Sequence, residues 1–293
     1  MVKKISGQVG GALSCLLVTA CIVTAYAKPA VEPPKPTGTR VSQSVAPEHA
    51  TRTWPVRKLA DSGQKSDTTP VFGEDSDYVR NPQSYKDNGD GTVTDNVTGL
   101  MWTKADAGEK TWEAYVAYCD QLSLAGYDDW KLPDAEEAFT IIDISASPFN
   151  PVFTSDHSGK YFWTMNRQAD GDDKRWEVNA GGGTGAHLKN STISAGGKFE
   201  FHGRCVREAV PAKRVKEHFA DNKDGTVTDN GNGLVWMQME PGEMTWENAI
   251  KYCESLVYAG KDDWRLPDIK ELKSISDYTL YSPAVDGSYF PGM

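Results

Sequence analysis

Asp87-Asn88-Gly89-Asp90-Gly91-Thr92-Val93-Thr94-Asp95-Asn96 is written again, with one change, as Asp221-Asn222-Lys223-Asp224-Gly225-Thr226-Val227-Thr228-Asp229-Asn230. The shift of 134 residues holds without a gap from 87–143 onto 221–277, and 31 of these 57 positions are identical. A period this long means duplicated domains rather than a solenoid of short units. Within each copy, Asn88-Gly89-Asp90-Gly91 reads as a tight turn and Thr92-Val93-Thr94 as a short strand. Asn96 to Gly99 turns the chain into Leu100-Met101-Trp102, giving a hairpin. Thr111 is a good N-cap for a helix that places Tyr115, Tyr118, Cys119 and Leu122 on one face, with Gly126 as its stop. Asp134 and Glu137 form a capping pair for a second helix running through Ile142, repeated as Asp268 and Glu271. From Asn150 to Arg207 the text is strand-like and rich in Gly turns. Hairpin, helix, helix, then strands is an α+β pattern.

Working outward, the copies are unequal. The first spans 76–209 and continues through Tyr161-Phe162-Trp163, Trp176-Glu177-Val178-Asn179 and Arg204-Cys205-Val206-Arg207. The second, 210–293, has no counterpart of these strands and is expected to be truncated in its second half. The cysteines follow the same division. Cys119 lies on the first helix of copy one and Cys205 on its last strand, and the two are expected to pair. Cys253 is the equivalent of Cys119, and its expected partner falls in the missing half, leaving a free thiol.

Residues 1–27 read as a signal peptide: Lys3 and Lys4, an apolar Leu13 to Val23, and a small-x-small end at Ala25-Tyr26-Ala27. Val18-Thr19-Ala20-Cys21 offers a second exit, acylation of Cys21 as a lipoprotein, which the apolar Ile22 to Ala27 argues against. Residues 28–75 carry seven prolines among Thr, Ser and charged residues and read as a disordered stalk. The chain carries 31 basic and 41 acidic side chains, a net charge of −10. Removing the leader takes two lysines and no acid, so the balance becomes more negative. Recognition of nucleic acid through phosphate contacts is therefore not expected. The expected site is secreted, periplasmic or on the outer cell surface, with no membrane span once the leader is cleaved.

Candidate chemical sites are few. With Gly91 at the sixth position of a calcium loop, Lys86 and Val97 fall at the first and twelfth; with Gly225 there, Ala220 and Gly231 do. The Asp side chains are read as turn caps. Asp128-Asp129 is read as a turn pair or as a partner of Arg204 or Arg207, not as a catalytic dyad. His49, His157, His187, His202 and His218 have no metal-ligand spacing, and Gly181 to Gly185 lacks the Lys of a phosphate loop. Trp102, Trp112 and Trp130, repeated as Trp236, Trp246 and Trp264, are assigned to the core. Asn166, Arg167, Arg175, Trp176 and Asn179 join an aromatic face to amide and guanidinium donors, the mixture that sugar recognition uses, and are the candidate ligand residues.

These motifs resemble the Lcl C-terminal domain family, named for bacterial collagen-like adhesins. The match runs through Asp87 to Trp102, Thr111 to Cys119, Ala125 to Pro133, Tyr161-Phe162-Trp163 and Arg204-Cys205-Val206-Arg207, and copy two matches to the region of Pro291. The helix, Tyr-Cys pair, Leu-Pro-x-x-Glu helix and late Arg-Cys strand also look like the C-type-lectin-like superfamily. That resemblance implies a small mixed or antiparallel sheet, two helices and a long loop region at about 145–200, here duplicated. It implies a surface or secreted binding module, acting in adhesion on a glycan or a surface protein; the Glu-Pro-Asn or Gln-Pro-Asp calcium–sugar signature of C-type lectins is absent, and no cofactor or metal is expected. The absent collagen-like tract and the negative charge argue against sulfated-glycan binding. A formylglycine-generating, sulfatase-modifying type of enzyme is the alternative, which the missing extra cysteines oppose; a structural envelope protein is a third reading.

Overall fold

The structure, a computed structural model, describes residues 22–24, 53–144, 150–154, 160–171, 173–179, 182–281, 284–291 and 293. The expected leader, apart from Ile22–Thr24, acylation at Cys21, and residues 28–52 of the expected stalk lie outside the described residues, as do His49 and His157.

Two strands stand outside copy one: β1 (Ile22–Thr24) and β2 (Trp54–Pro55). Copy one opens with β3 (Tyr85–Asp87), β4 (Thr92–Asp95) and β5 (Leu100–Thr103). Then come α1 (Trp112–Asp120) and α2 (Ala135–Thr140). A second sheet follows, made of β6 (Lys160–Arg167), β7 (Lys174–Asn179), β8 (Thr184–Leu188) and β9 (Glu200–His202). β10 (Val206–Glu208) closes the copy by returning to β5, in the order β10-β5-β4-β3. The second sheet runs β8-β7-β6-β9, antiparallel except where β9 joins β6. The strand-like text from 150 to 207 is thus a separate sheet, and the architecture is α+β.

Turn chemistry fixes the hairpin as expected. Asp90 Oδ1 accepts from Thr92 N at 3.1 Å and Thr92 Oγ1 at 2.6 Å, and Asp95 accepts from Val97 N, Thr98 N and Thr98 Oγ1. These carboxylates are occupied by turns rather than by a cage open to cations. Thr111 Oγ1 caps α1 through Ala114 N, and Asp134 with Glu137 forms the reciprocal capping box of α2. α1 ends at Asp120, a turn before Gly126. Leu124 and Tyr127 exchange backbone hydrogen bonds there, with Ala125 and Gly126 both at positive φ, so the two residues form a primed turn and not a helix stop.

The disulfide expected in copy one is present: Cys119 is bonded to Cys205, 86 residues on. Both cysteines are fully buried among Met101, Tyr115, Trp130, Leu132, Trp163 and Phe201. Gly203 makes this closure possible, because a Cβ there would come within 2.7 Å of the Tyr115 ring. Asp129 pairs with Arg207, Nε to Oδ1 at 2.5 Å, as the turn reading anticipated.

Copy two repeats the plan with β12 (Phe219–Asp221), β13 (Thr226–Asp229), β14 (Leu234–Met237), α3 (Trp246–Ser255), β15 (Trp264–Arg265) and α4 (Ile269–Ser274). Its sheet runs β12-β13-β14-β1-β15, so the short N-terminal strand lies inside it. Cys253 is disulfide-bonded, which overturns the expectation of a leftover thiol. The two copies meet through the same helix of each, α2 against α4. Lys270 Nζ donates to the Thr140 carbonyl at 3.1 Å across this contact.

The expected stalk is part of this body from Thr53 on. β2 pairs with β11 (Arg214–Val215), Trp54 stacks on His218 at 5.6 Å, and Leu59 packs on the core of copy two. Arg57 reaches both Glu137 and Glu208 of copy one. A strand pairing, two apolar contacts and the Arg57 ion pairs together hold a proline-rich segment whose composition alone reads as extended chain.

Candidate ligand-binding cleft

Trp112 and Trp246 are equivalent by sequence but not by environment. In copy one, β6 crosses the start of α1 and α2. Trp112 Nε1 donates to the Thr164 carbonyl at 2.8 Å, Met165 N donates to the Pro133 carbonyl at 2.8 Å, and Asn166 Oδ1 accepts from Ala135 N at 2.7 Å. The Arg175 guanidinium lies 4.4 Å from the centre of the Trp112 rings. The counterparts of Trp112, Pro133, Asp134 and Ala135 are Trp246, Pro267, Asp268 and Ile269. In copy two these four residues line a cavity of about 550 Å³. Trp246 is 42% exposed there and Ile269 41%, against complete burial of Trp236 and near-complete burial of Trp264. Five of the six repeated tryptophans fit the core assignment; Trp246 does not.

The far wall of this cleft is the segment from Ser62 to Asp75. Gly73 lets it lie against α3: at its φ of +119° a Cβ would also come within 2.6 Å of Ile250. Tyr78 Oη then donates to both carboxylate oxygens of Glu254, at 2.7 and 2.8 Å. Glu74 holds the segment's shape. Its buried carboxylate accepts from Thr68 N at 3.0 Å, Thr69 N at 2.7 Å, Thr69 Oγ1 at 2.9 Å and Gln64 Nε2 at 2.5 Å. Burial alone would raise its pKa, but these donors together bring it down to about 2. At the floor, Asp268 Oδ1 accepts from Lys270 N at 2.6 Å and Glu271 N at 2.9 Å. Burial, with the charges of Glu271 and Asp75 beside it, pushes the Asp268 carboxyl up to about 8. Asp75 accepts from the Ser62 hydroxyl.

The cleft therefore joins a flat aromatic face and aliphatic side chains of Ile144, Ile250 and Ile269 to a rim of amide and hydroxyl groups from Gln64, Ser66 and Thr68. Its three carboxylates are each engaged by donors of the protein. Such a surface can take the C–H face of a ring while the rim meets its hydroxyls.

The five residues singled out in the sequence do not form one patch. Successive β7 side chains point to opposite faces of the sheet. Arg175 goes to Trp112, whereas Trp176 goes the other way, 5.9 Å from the Tyr278 ring of copy two. Arg167 is the cross-strand partner of Arg175. Asn179 Oδ1 accepts from Gly183 N within the β7–β8 turn, and Asn166 caps α2 while lining a smaller cavity of about 280 Å³ between the copies. His187 contacts Glu177 at 2.7 Å, His202 contacts Asp106 at 3.0 Å and His218 contacts Asp229 at 3.2 Å. Among the described residues no group of three or more His, Cys, Asp or Glu side chains is placed to hold a metal ion. Assigning Trp246 to the core with the other repeated tryptophans is what hid the cleft from the sequence reading.

Two α+β repeats, each with a disulfide at the same helical cysteine, define a duplicated domain protein. The family model of the Lcl C-terminal domain matches residues 91–207 and 225–293, more than half of the chain, and the chain belongs to that family. No curated protein and no solved structure matches it.

Proposed function

We propose that the chain is a non-enzymatic binding module of the cell surface or an exported compartment, and that its second repeat binds an unsulfated glycan in the Trp246 cleft. The carrying observation is the difference between the copies: the surface that β6 and Arg175 cover in copy one is an open cavity with an exposed indole in copy two. Disulfides in both repeats support an oxidising location. The net charge of −10 and the Glu74 carboxylate, held ionised in the cleft wall, disfavour sulfated chains. Commitment of Glu74, Asp75 and Asp268 to protein donors favours binding over general acid–base chemistry. A C-type-lectin-like arrangement fits the two helices and the terminal strand that returns to the hairpin.

The test is a glycan array probed with the wild type, Trp246→Ala and Trp176→Ala. Binding to neutral oligosaccharides that Trp246→Ala abolishes and Trp176→Ala preserves is the expected result. Binding lost only in Trp176→Ala, or confined to sulfated glycans, would overturn the assignment.

A further inference from the structure

Glu136 of α2 and Lys270 of α4 are counterparts, 134 residues apart, at the contact where the repeats meet. Lys270 crosses that contact: its ammonium donates to the Thr140 carbonyl of copy one and is attracted by Asp95. Glu136 stands in the reciprocal place, beside Asp229, the counterpart of Asp95. On one side an ammonium meets the acid of the other repeat; on the other side a carboxyl group does, and the cation is missing.

Among the described residues no hydrogen bond or ion pair holds the Glu136 carboxyl group. It opens instead on the cavity of about 280 Å³ between the copies. The side chain is accessible there, yet burial is the first cause that raises its carboxyl well above the usual range; the charges of Asp134, Asp229 and Glu137 add to the rise and Arg57 opposes it. Four other carboxylates line this cavity. Asp134, Asp277 and Asp286 accept from backbone N–H groups two or three residues on, and Glu217 is exposed. Lys216, also exposed, is the one Lys or Arg on the wall among the described residues.

The other walls are aromatic. Trp54, His218 and Phe219 stack in series, with ring centroids 5.6 and 4.1 Å apart. Tyr278 stands against Trp176, and both Tyr278 Oη and Trp176 Nε1 are buried without a hydrogen-bond partner. A molecule outside the chain, water or ligand, accounts for buried polar atoms in this state. We propose that the cavity binds a small organic ammonium ion, whose charge meets Glu136 as the Lys270 ammonium meets Asp95 and whose carbons lie on the aromatic walls. Aromatic faces favour a weakly hydrated cation of this kind. A metal ion needs converging ligand atoms, and among the described residues no group of three or more His, Cys, Asp or Glu supplies them. The volume falls just below the roughly 300–1,000 Å³ of ordinary ligand pockets, so the ligand is small. The cavity shares no lining residue with the Trp246 cleft, and the two sites are separate.

The test is calorimetric titration of the full chain, at constant ionic strength, with choline, n-butylammonium and 3,3-dimethylbutan-1-ol, the uncharged isostere of choline. Saturable binding of an ammonium, at least about tenfold tighter than the alcohol and at least about tenfold weaker in Glu136→Gln, is the expected result. Preference for choline would mark a trimethylammonium ligand and preference for n-butylammonium a primary amine; either supports the site. Matching near-ultraviolet circular dichroism of Glu136→Gln and wild type ties the loss to the site and not to the fold. In the wild type itself, the ammonium should slow hydrogen exchange at 216–219 and 275–279. No saturable binding of either ammonium up to about 10 mM, equal affinity for the alcohol, undiminished affinity in Glu136→Gln, or slowed exchange confined to the Trp246 cleft would each overturn the proposal.

Discussion

Lys270 is the polar pin between the repeats, and its burial has a measurable consequence. The side chain is 3% exposed, and its ammonium donates to the Thr140 carbonyl across the α2–α4 contact. Burial lowers its pKa from 10.5 to about 8, against the attraction of Asp268, Asp95, Asp143 and Asp61 around it. Between these two values the folded chain holds fewer protons at this site than the unfolded chain, so stability rises with pH. The gap corresponds to about 3.4 kcal/mol in full, of which about 2.5 kcal/mol is recovered between pH 7 and pH 10. Tyr85 and Tyr278, both pushed above the usual tyrosine range by burial, act in the opposite sense as pH nears 10, equally in both proteins, so the comparison with Lys270→Met removes their effect. Urea unfolding followed by tryptophan fluorescence at pH 7, 8, 9 and 10 reads the effect. The wild type should gain stability relative to Lys270→Met by roughly 2 kcal/mol over that range. Parallel curves for the two proteins would refute the burial of a charged lysine at this contact.

Further outcomes follow from the same contacts. Replacing Cys119 and Cys205 together by Ala should cost about 4 kcal/mol in urea unfolding, the loop entropy of an 86-residue closure. Glu74→Gln should lower stability at pH 7 by about 2–4 kcal/mol, because buried donors lose a charged acceptor. It should also flatten the acid limb, since the folded pKa of Glu74 is about 2 and its stabilisation is present above pH 4.5 and lost as pH falls toward 2. Trp236→Ala should cost about 3–5 kcal/mol by calorimetry, and the half-exposed Trp246→Ala about 1 kcal/mol or less, although both tryptophans belong to the second repeat.

Local signals carried the repeated half of the fold. Asp90, Asp95, Thr111 and Asp134, with Asp224 and Asp268 in copy two, act within three residues of themselves, so turns and caps were legible one by one. The Cys119–Cys205 pairing was legible because both cysteines sit on elements that any closed version of the domain must bring together. What long-range packing decides was not. Trp54 and Leu59 bind the proline-rich segment to copy two only through residues 150 or more positions away. Ile22–Thr24 lies in a stretch whose apolarity fits a leader and a sheet strand equally well. The candidate ligand residues on β6 and β7 share composition but not a face, since strand alternation sends Arg175 and Trp176 to opposite sides. The cleft is a property of the difference between copies, and reading each tryptophan alone as core concealed it.

Hydrogen–deuterium exchange with and without a neutral oligosaccharide taken from the glycan array tests the central claim most directly. Slowed exchange confined to residues 62–75 and the first turn of α3 is the predicted result. Slowed exchange on β6 and β7 instead, with the Trp246 cleft unchanged, would contradict it.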